Sequence, residues 1–141
     1  MKYQRYTPLV DKLFFIIFIP TAILMIALTV FACFEPAALL LMLPTDILTF
    51  YFLLSPLFGY VELRENTLFI KFGFILKREI PYNKIRGLIK ERSFIAETML
   101  SLKNSFEHVK IKYNSFDVIT VSVIDNDSFI KEVENRCKKC N

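Results

Sequence analysis

The sequence predicts an α+β protein in which a hairpin of two apolar helices precedes a bent antiparallel sheet, which a C-terminal helix closes. Two strongly apolar runs fill most of the first sixty residues. Beyond Gly59 charged residues become frequent and the hydrophobic period changes to two, which is typical of half-buried strands. The C-terminal residues instead carry apolar side chains at helical spacing.

The two apolar runs have the length of membrane-spanning helices. They cover about residues 13–33 and 37–57, and neither contains Lys or Arg. A helix needs roughly 20 apolar residues to cross the hydrocarbon core of a bilayer. Because the connection between the runs is so short, they are expected to form an antiparallel hairpin. We therefore predict a two-helix membrane unit over residues 1–59 and a second domain over residues 60–141.

The charges that flank the hairpin predict its orientation. Lys2, Arg5 and Lys12 precede the first run and Arg64 follows the second, whereas the connection contains Glu35 and no Lys or Arg. Positively charged flanks remain in the cytoplasm. The sequence therefore predicts a multi-pass protein of the inner (cytoplasmic) membrane with both termini in the cytoplasm.

The three cysteines favour a reducing compartment, since they are scattered and odd in number. Residues 30–33 approximate a lipoprotein cleavage box, which leaves lipidation of Cys33 open as an alternative to an intact first span. Cys137 and Cys140 form a single CxxC at the end of the chain, without the second pair that a structural zinc site needs. We predict no metal site and no cofactor.

The second domain alternates between apolar and polar residues in several short segments. These predicted strands lie in YVEL, TLFIKFG, FILKREIPY, KIRGLIK, HVKIKY and FDVITVSVI. Between Glu91 and Glu107 the pattern weakens, which predicts a loop with one short element. A terminal helix follows a cap at Asp125, Asn126 or Asp127, and its apolar stripe contains Phe129, Ile130, Val133, Cys137 and Cys140.

These segments resemble the YyaB-like bacterial PH-domain family between about Tyr60 and Val133. The resemblance is most specific in the IPY-x-x-I block, which begins at Ile80, and in the pair Ser101-Leu102. The chain departs from the family at Lys103-Asn104 and at Ser122-Val123, where the family usually has an acidic-basic pair and a Ser-Pro. The resemblance implies a PH-like fold that follows one or two transmembrane helices. Relatives occur among bacteriocin-immunity membrane proteins, and the family has no established biochemical function.

Catalysis is not expected from this sequence. The single histidine, His108, lies on the polar face of a predicted strand, where we expect an exposed side chain without a catalytic partner. The three glycines are too widely spaced to form a phosphate-binding loop. A net charge of +4 is too small to indicate nucleic-acid binding. We therefore predict that the protein is not an enzyme and binds no nucleic acid.

A cluster of basic residues is the main candidate binding surface. Each Lys or Arg held near an anionic leaflet contributes on the order of 1 kcal/mol to attraction. The cluster predicts that the domain binds anionic lipid or another partner, although a solvated strand face without a partner has the same pattern. Its members are Lys71, Lys77, Arg78, Lys84, Arg86, Lys90 and Arg92.

Asp46 is the second candidate, because it lies near the middle of the second apolar run. A carboxylate there costs about 2.5–3.5 kcal/mol on insertion scales, so a partner is expected. Thr21 on the facing helix, Thr49 one turn further along, and the carbonyls freed by Pro20 and Pro44 are the candidates. Asp46 then either makes a structural polar contact that holds helices together, within the hairpin or across a homodimer, or serves as a functional intramembrane site.

The sequence therefore predicts a non-catalytic, membrane-anchored binding module that recruits a peptide, a protein or anionic lipid at the inner leaflet. Bacteriocin immunity is one form of this function that the family resemblance implies. The alternative is an intramembrane accessory or sensor subunit in which the helical hairpin and Asp46 carry the function. A homo-oligomer formed through the hairpin is compatible with both.

Overall fold

The computed structural model describes residues 3–93, 101–102 and 105–140, and it has the predicted α+β architecture. Two apolar helices near the N-terminus are followed by two small sheets and a C-terminal helix, with one short strand ahead of the first helix. The predicted fold class is therefore confirmed.

The two apolar helices follow the predicted runs closely. Helix α1 spans Lys12–Ala32 and helix α2 spans Pro36–Leu54, with mean hydropathies of 2.7 and 1.9 in their most apolar windows. Asp11 caps α1, because its carboxylate accepts a 2.6 Å hydrogen bond from the backbone N–H of Lys12. Pro36 occupies the first position of α2, where its missing N–H costs nothing. Both helices are long and apolar enough to cross a membrane.

The first sheet is antiparallel and has the order β1-β2-β3-β4. Its strands are β1 (Gln4–Tyr6), β2 (Tyr60–Leu63), β3 (Thr67–Phe72) and β4 (Leu76–Pro81). A 3₁₀ turn over Ser55–Phe58 connects α2 to β2. The β3–β4 turn contains Gly73, which has a φ of +73° that side chains with a Cβ adopt at a cost.

Strand β1 precedes α1 in the chain yet belongs to the sheet that follows α2. It pairs with β2 so that Tyr6 lies opposite Val61. The N–H of Leu9 also bonds to the carbonyl of Ser122 at 3.1 Å, and Pro8 forms a bridge with Val123. Both outer ends of the helix pair are therefore fastened to the same domain. The predicted domain boundary between residues 59 and 60 stays a prediction. It assigns β1 to the helical unit, although β1 pairs with a strand of the second domain.

The second sheet has the order β5-β7-β8-β6. All its neighbours are antiparallel except β6 and β8, which are parallel. Strand β6 is the short element expected between Glu91 and Glu107, whereas residues 94–100 and 103–104 of that segment lie outside the described residues. The strands are β5 (Ile85–Arg92), β6 (Ser101–Leu102), β7 (Glu107–Tyr113) and β8 (Asp117–Val121).

Helix α3, Asn126–Cys140, closes the core between the sheets. The carboxylate of Asp125 accepts a hydrogen bond from the N–H of Ser128 at 2.9 Å, which is the cap expected for this helix. Burying each large apolar side chain contributes about 1.5–3 kcal/mol. The fully covered side chains include Val61, Leu63, Leu68, Ile70, Val109, Val121, Val123, Phe129 and Val133.

His108 is buried, and the expectation that it would be an exposed strand histidine was wrong. Only 2% of its surface is exposed, and Lys110 on the same strand is buried as well. Strand β7 lies between β5 and β8, and Glu91 on β5 neutralises Lys110 at 2.9 Å. The ring Nδ1 of His108 lies 3.2 Å from the carbonyl oxygen of Phe106. Because charges and hydrogen bonds are satisfied locally, the polar face of this strand can be buried.

Candidate functional site

The seven basic residues singled out from the sequence do not form one surface. Lys71 on β3 and Lys77 on β4 are directly opposite each other in the first sheet. Like charges in that position repel each other and favour a bound anion. They lie at the end of the strands next to the Gly73 turn, beside the helices. This pair is the part of the predicted cluster in which two cations lie directly opposite each other.

Arg5 on β1, which is opposite Glu62 in the strand register, adds a cation that was not among the predicted site residues. Its guanidinium lies 3.7 Å from the centre of the Tyr60 ring, and the Lys71 ammonium lies 5.8 Å from the same centre. We call Arg5, Lys71 and Lys77 the basic row. The sequence signal for Arg5 was its position just before the first span, which had been used only for orientation.

The remaining predicted residues lie elsewhere on the domain. Arg78 and Lys84 line a cleft of 350 Å³ together with Tyr113 and Asn114, at the end of β4 away from the Gly73 turn. Arg86 lines a separate groove of 350 Å³ between β5 and α3. Arg78 directly follows Lys77 on β4, so its side chain points to the opposite face of the sheet from the basic row. Lys84 follows the far end of β4, and Arg86 lies on β5.

Lys90 and Arg92 on β5 face acidic residues. The Lys90 ammonium lies 2.9 Å from Asp127 and 3.8 Å from Glu107. The hydrogen bond to Asp127 raises the pKa of Lys90 above its ordinary value of 10.5. Arg92 is directly opposite Glu107 in the register of β5 and β7. Acidic neighbours therefore reduce the attraction that these two cations exert on an external anion.

A second network of charges surrounds Arg64 on the first sheet. Its guanidinium contacts Glu62 at 3.0 Å and Glu79 at 3.2 Å, and it stacks over the Phe69 ring at 4.0 Å. Hydrogen bonding to Glu62 is the main reason that the pKa of Arg64 is raised. Thr67 donates a 2.6 Å hydrogen bond to Glu79, and this bond holds the pKa of that carboxyl below its ordinary value of 4.5. This network has no excess positive charge.

Asp46 contacts Thr29 rather than the predicted partner Thr21. Its Oδ2 lies 2.5 Å from the Thr29 hydroxyl, whereas the Thr21 hydroxyl donates to the carbonyl of Ile17 in its own helix at 2.7 Å. If the residues of α1 and α2 faced each other in order outward from the middle of their connection, Asp46 would lie near Leu24. The structure shifts α2 along α1, so the middle of α2 meets the last turns of α1. Thr49 lies about one turn beyond Asp46 and takes no part in this contact.

Asp46 lines a cleft of 230 Å³ between α1 and α2 whose other walls are almost entirely apolar. Only 9% of its surface is exposed, and in the described part of the chain its Oδ1 has no hydrogen-bond partner. The Thr29 hydroxyl also lies 2.9 Å from the carbonyl of Met25. Because a hydroxyl has one proton, the Thr29 hydroxyl divides its donation between the carboxylate of Asp46 and the carbonyl of Met25. The cleft is lined by Met25, Ile26, Thr29, Val30, Cys33, Asp46 and Phe50.

The β3–β4 turn packs directly on the end of α2. The Phe74 ring lies 4.5 Å from the Phe58 ring and 5.3 Å from the Tyr51 ring, measured between centres. A Cβ built on Gly73 would lie 1.5 Å from the Ser55 hydroxyl oxygen, so no side chain fits at this position. The basic row is therefore held beside the point where α2 ends.

The described residues contain no cluster of metal-binding side chains, and Cys33 and Cys137 are not in disulfides. Within residues 3–93, 101–102 and 105–140, no three His, Cys, Asp or Glu side chains gather where they could hold a metal ion. Cys33 is exposed and Cys137 is half-buried, and neither is in a disulfide. The side chain of Cys140 lies outside the described part, so the predicted CxxC cannot be placed as a pair.

Together, the two sheets and the closing helix α3 define a PH-like domain that is joined to two apolar helices. The sequence model of the bacterial PH domain family matches residues 59–137, which is more than half of the chain. The chain therefore belongs to the bacterial PH domain family. No curated protein sequence and no solved structure matches it.

Proposed function

We propose that this protein is a membrane-anchored, non-catalytic module that binds anionic lipid, a peptide or a protein at the inner leaflet. PH domains generally act as binding modules rather than as enzymes, and this membership supports the proposal. The observation that carries it is the basic row, because two of its lysines are directly opposite each other and lie beside the end of α2. A cationic surface at that place faces the headgroups of a membrane that α2 enters.

The proposed topology has both helices crossing the inner membrane and both termini in the cytoplasm. The pairing of β1 with β2 supports it, because α1 follows one strand and α2 leads into the other. The outer ends of the two helices must therefore be on the same side of the bilayer. The flanking Lys and Arg residues support the cytoplasm as that side.

We further propose that the chain belongs to the YyaB-like branch of the family and acts in immunity to a membrane-active bacteriocin. The IPY-x-x-I block supports the branch. In the structure Tyr82 of this block is buried, and its hydroxyl donates to the carbonyl of Arg64 at 3.0 Å. A bacterium that expresses the full chain should survive a bacteriocin that kills the parent strain. Unchanged sensitivity across a panel of such peptides would remove this finer proposal.

Anionic-lipid binding is tested by titrating phosphatidylglycerol into the full-length protein in mild detergent and counting retained lipids by native mass spectrometry. The variant Lys71→Ser with Lys77→Ser should bind roughly 30-fold more weakly, because two cations contribute on the order of 2 kcal/mol. The matched control, Lys84→Ser with Lys112→Ser, removes the same charge from exposed positions at the far end of the domain. Equal losses in both variants would show that only net charge matters and would contradict a site at the basic row.

The second candidate function is that of an intramembrane accessory or sensor subunit centred on Asp46. The observation that favours it is the buried Oδ1 of Asp46, which lacks a partner in the described residues and lines the cleft. A donor from a neighbouring membrane helix would satisfy this oxygen. Under this function, Asp46→Asn should abolish co-purification of a membrane partner, whereas Lys71→Ser with Lys77→Ser should leave it intact. The reverse pattern supports the lipid-facing module instead.

A further inference from the structure

Exposed apolar side chains gather where the β3–β4 turn meets the end of α2. Ile75 is 74% exposed, Leu76 is 54% exposed and Phe74 is 41% exposed. We call these three residues the apolar tip. Phe58 of the adjacent 3₁₀ turn is also exposed and packs against Phe74. Three consecutive exposed apolar residues at a hairpin end are unfavourable in water, so this surface indicates a contact with something apolar.

The level of the apolar tip along α2 is fixed by packing. Phe74 contacts Tyr51 in the last turn of α2, and Gly73 packs so closely on Ser55 that an added Cβ would clash with it. In a membrane-spanning α2, this is the level where the chain leaves the hydrocarbon core. Tyrosine is enriched at that interface, because its ring lies among the acyl chains while its hydroxyl remains hydrated.

The charges behind the tip follow the chemistry of a leaflet. Lys77 comes directly after Leu76, and Lys71 lies opposite Lys77 on the neighbouring strand. A surface that enters a leaflet needs apolar groups at its end and cations one step behind them, at the depth of the anionic headgroups. The hairpin has this order, whereas a protein-binding surface has no reason to match the depth profile of a bilayer.

We propose that the apolar tip inserts into the boundary between the acyl chains and the headgroups of the cytoplasmic leaflet. This inference rests on the proposed membrane anchoring through α1 and α2, and it adds a third point of contact. The occupant of this surface is the bilayer itself. With the tip inserted, the basic row is pressed against the headgroups and the domain has one orientation on the membrane.

The test uses tryptophan fluorescence, because the chain contains no tryptophan. Three single-tryptophan variants of the full chain are reconstituted in nanodiscs of phosphatidylcholine and phosphatidylglycerol, with and without brominated acyl chains. Ile75→Trp reports on the apolar tip, and Phe52→Trp reports on an exposed position of α2. Phe116→Trp is the control, since this residue is 95% exposed in the turn after β7.

Phe116 lies at the far end of the domain from the helices. Strand β7 begins near Ser105, whose hydroxyl donates to Asp11 at the start of α1 over 3.4 Å. The strand then extends for seven residues before the turn, which is about 20 Å at roughly 3.3 Å per residue. An aromatic reporter there is more exposed than one at Ile75, but it lies at the end of the domain away from the helices.

We expect bromination to quench Ile75→Trp nearly as strongly as Phe52→Trp and to leave Phe116→Trp unquenched at a longer emission wavelength. If Phe52→Trp is quenched but Ile75→Trp is not, insertion of the tip is refuted while the anchoring stands. If neither is quenched, the anchoring fails and the inference fails with it. If Ile75→Trp resists both bromination and aqueous acrylamide, protein covers the tip and the inference is overturned. Leu76→Trp replaces Ile75→Trp if that variant does not fold.

Discussion

Substituting Gly73 by alanine tests the contact that joins the sheet to the helices. At a φ of +73° an L side chain is strained by about 1–2 kcal/mol. The new Cβ would also lie 1.5 Å from the Ser55 hydroxyl oxygen and 2.9 Å from the Ser55 carbonyl oxygen. Overpacking of this kind adds about 1–3 kcal/mol. The total destabilisation is therefore about 2–5 kcal/mol.

The assay is thermal unfolding of the full chain in detergent, followed by circular dichroism. A loss of 1 kcal/mol lowers the Tm of a domain of 60–100 residues by about 4–8 °C, so Gly73→Ala should unfold at least about 8 °C below the parent. Gly87→Ala is the matched control, because no atom lies within 4 Å of its added Cβ and its φ is not in the left-handed region. That variant should unfold at or slightly above the parental temperature.

A second substitution separates the two causes. Ser55→Gly removes the hydroxyl and Cβ that the alanine meets, but it leaves the backbone strain at Gly73 in place. In a double-mutant cycle, Ser55→Gly should therefore rescue part of the loss caused by Gly73→Ala, by about 1–3 kcal/mol. Equal unfolding temperatures for Gly73→Ala and Gly87→Ala would refute the packing of this turn against α2.

Three further predictions concern the core, the charges and the helix pair. Phe129→Ala should cost about 3–5 kcal/mol in unfolding free energy, since this ring is fully buried. Glu79 has a pKa below 4.5, so its stabilisation is complete above that pH and is lost as the pH falls through the lower folded value. The Tm difference between the parent and Thr67→Val should therefore shrink on acidification, and a constant difference would contradict this origin. Thr29→Val should destabilise the helix pair by about 0.6 kcal/mol, whereas Thr21→Val, which removes a bond within one helix, should have less effect in the same unfolding assay.

Much of the fold was predictable because its hydrophobic patterns are long and regular. The runs that form α1 and α2 are apolar over about the thickness of a bilayer. The alternation of apolar and polar residues in β3 likewise places Leu68, Ile70 and Phe72 in the core. Strand β1 could not be predicted in this way. It has three residues, which are too few to show a period, and its partner β2 is far away in the sequence.

The sites were less predictable, because they depend on how elements pack. The alternation in β7 assigned Lys110 and His108 to one face correctly, but it carried no information on whether that face is covered. The partner of Asp46 depended on how far α2 slides along α1, and the short connection does not specify this shift. The charge count likewise did not distinguish Lys90, which pairs with Asp127, from Lys71, which faces another cation.

The pairing of β1 with β2 also constrains how the protein is made. Strand β1 leaves the ribosome first, but its partner is not synthesised until both helices have been completed. In the proposed topology, β1 and β2 meet on the cytoplasmic side after both spans have been inserted. A chain that inserts one span leaves β1 and β2 on opposite sides of the membrane, with an unpaired edge on β2 that invites aggregation. In the proposed topology, closure of this sheet is therefore incompatible with insertion of a single span.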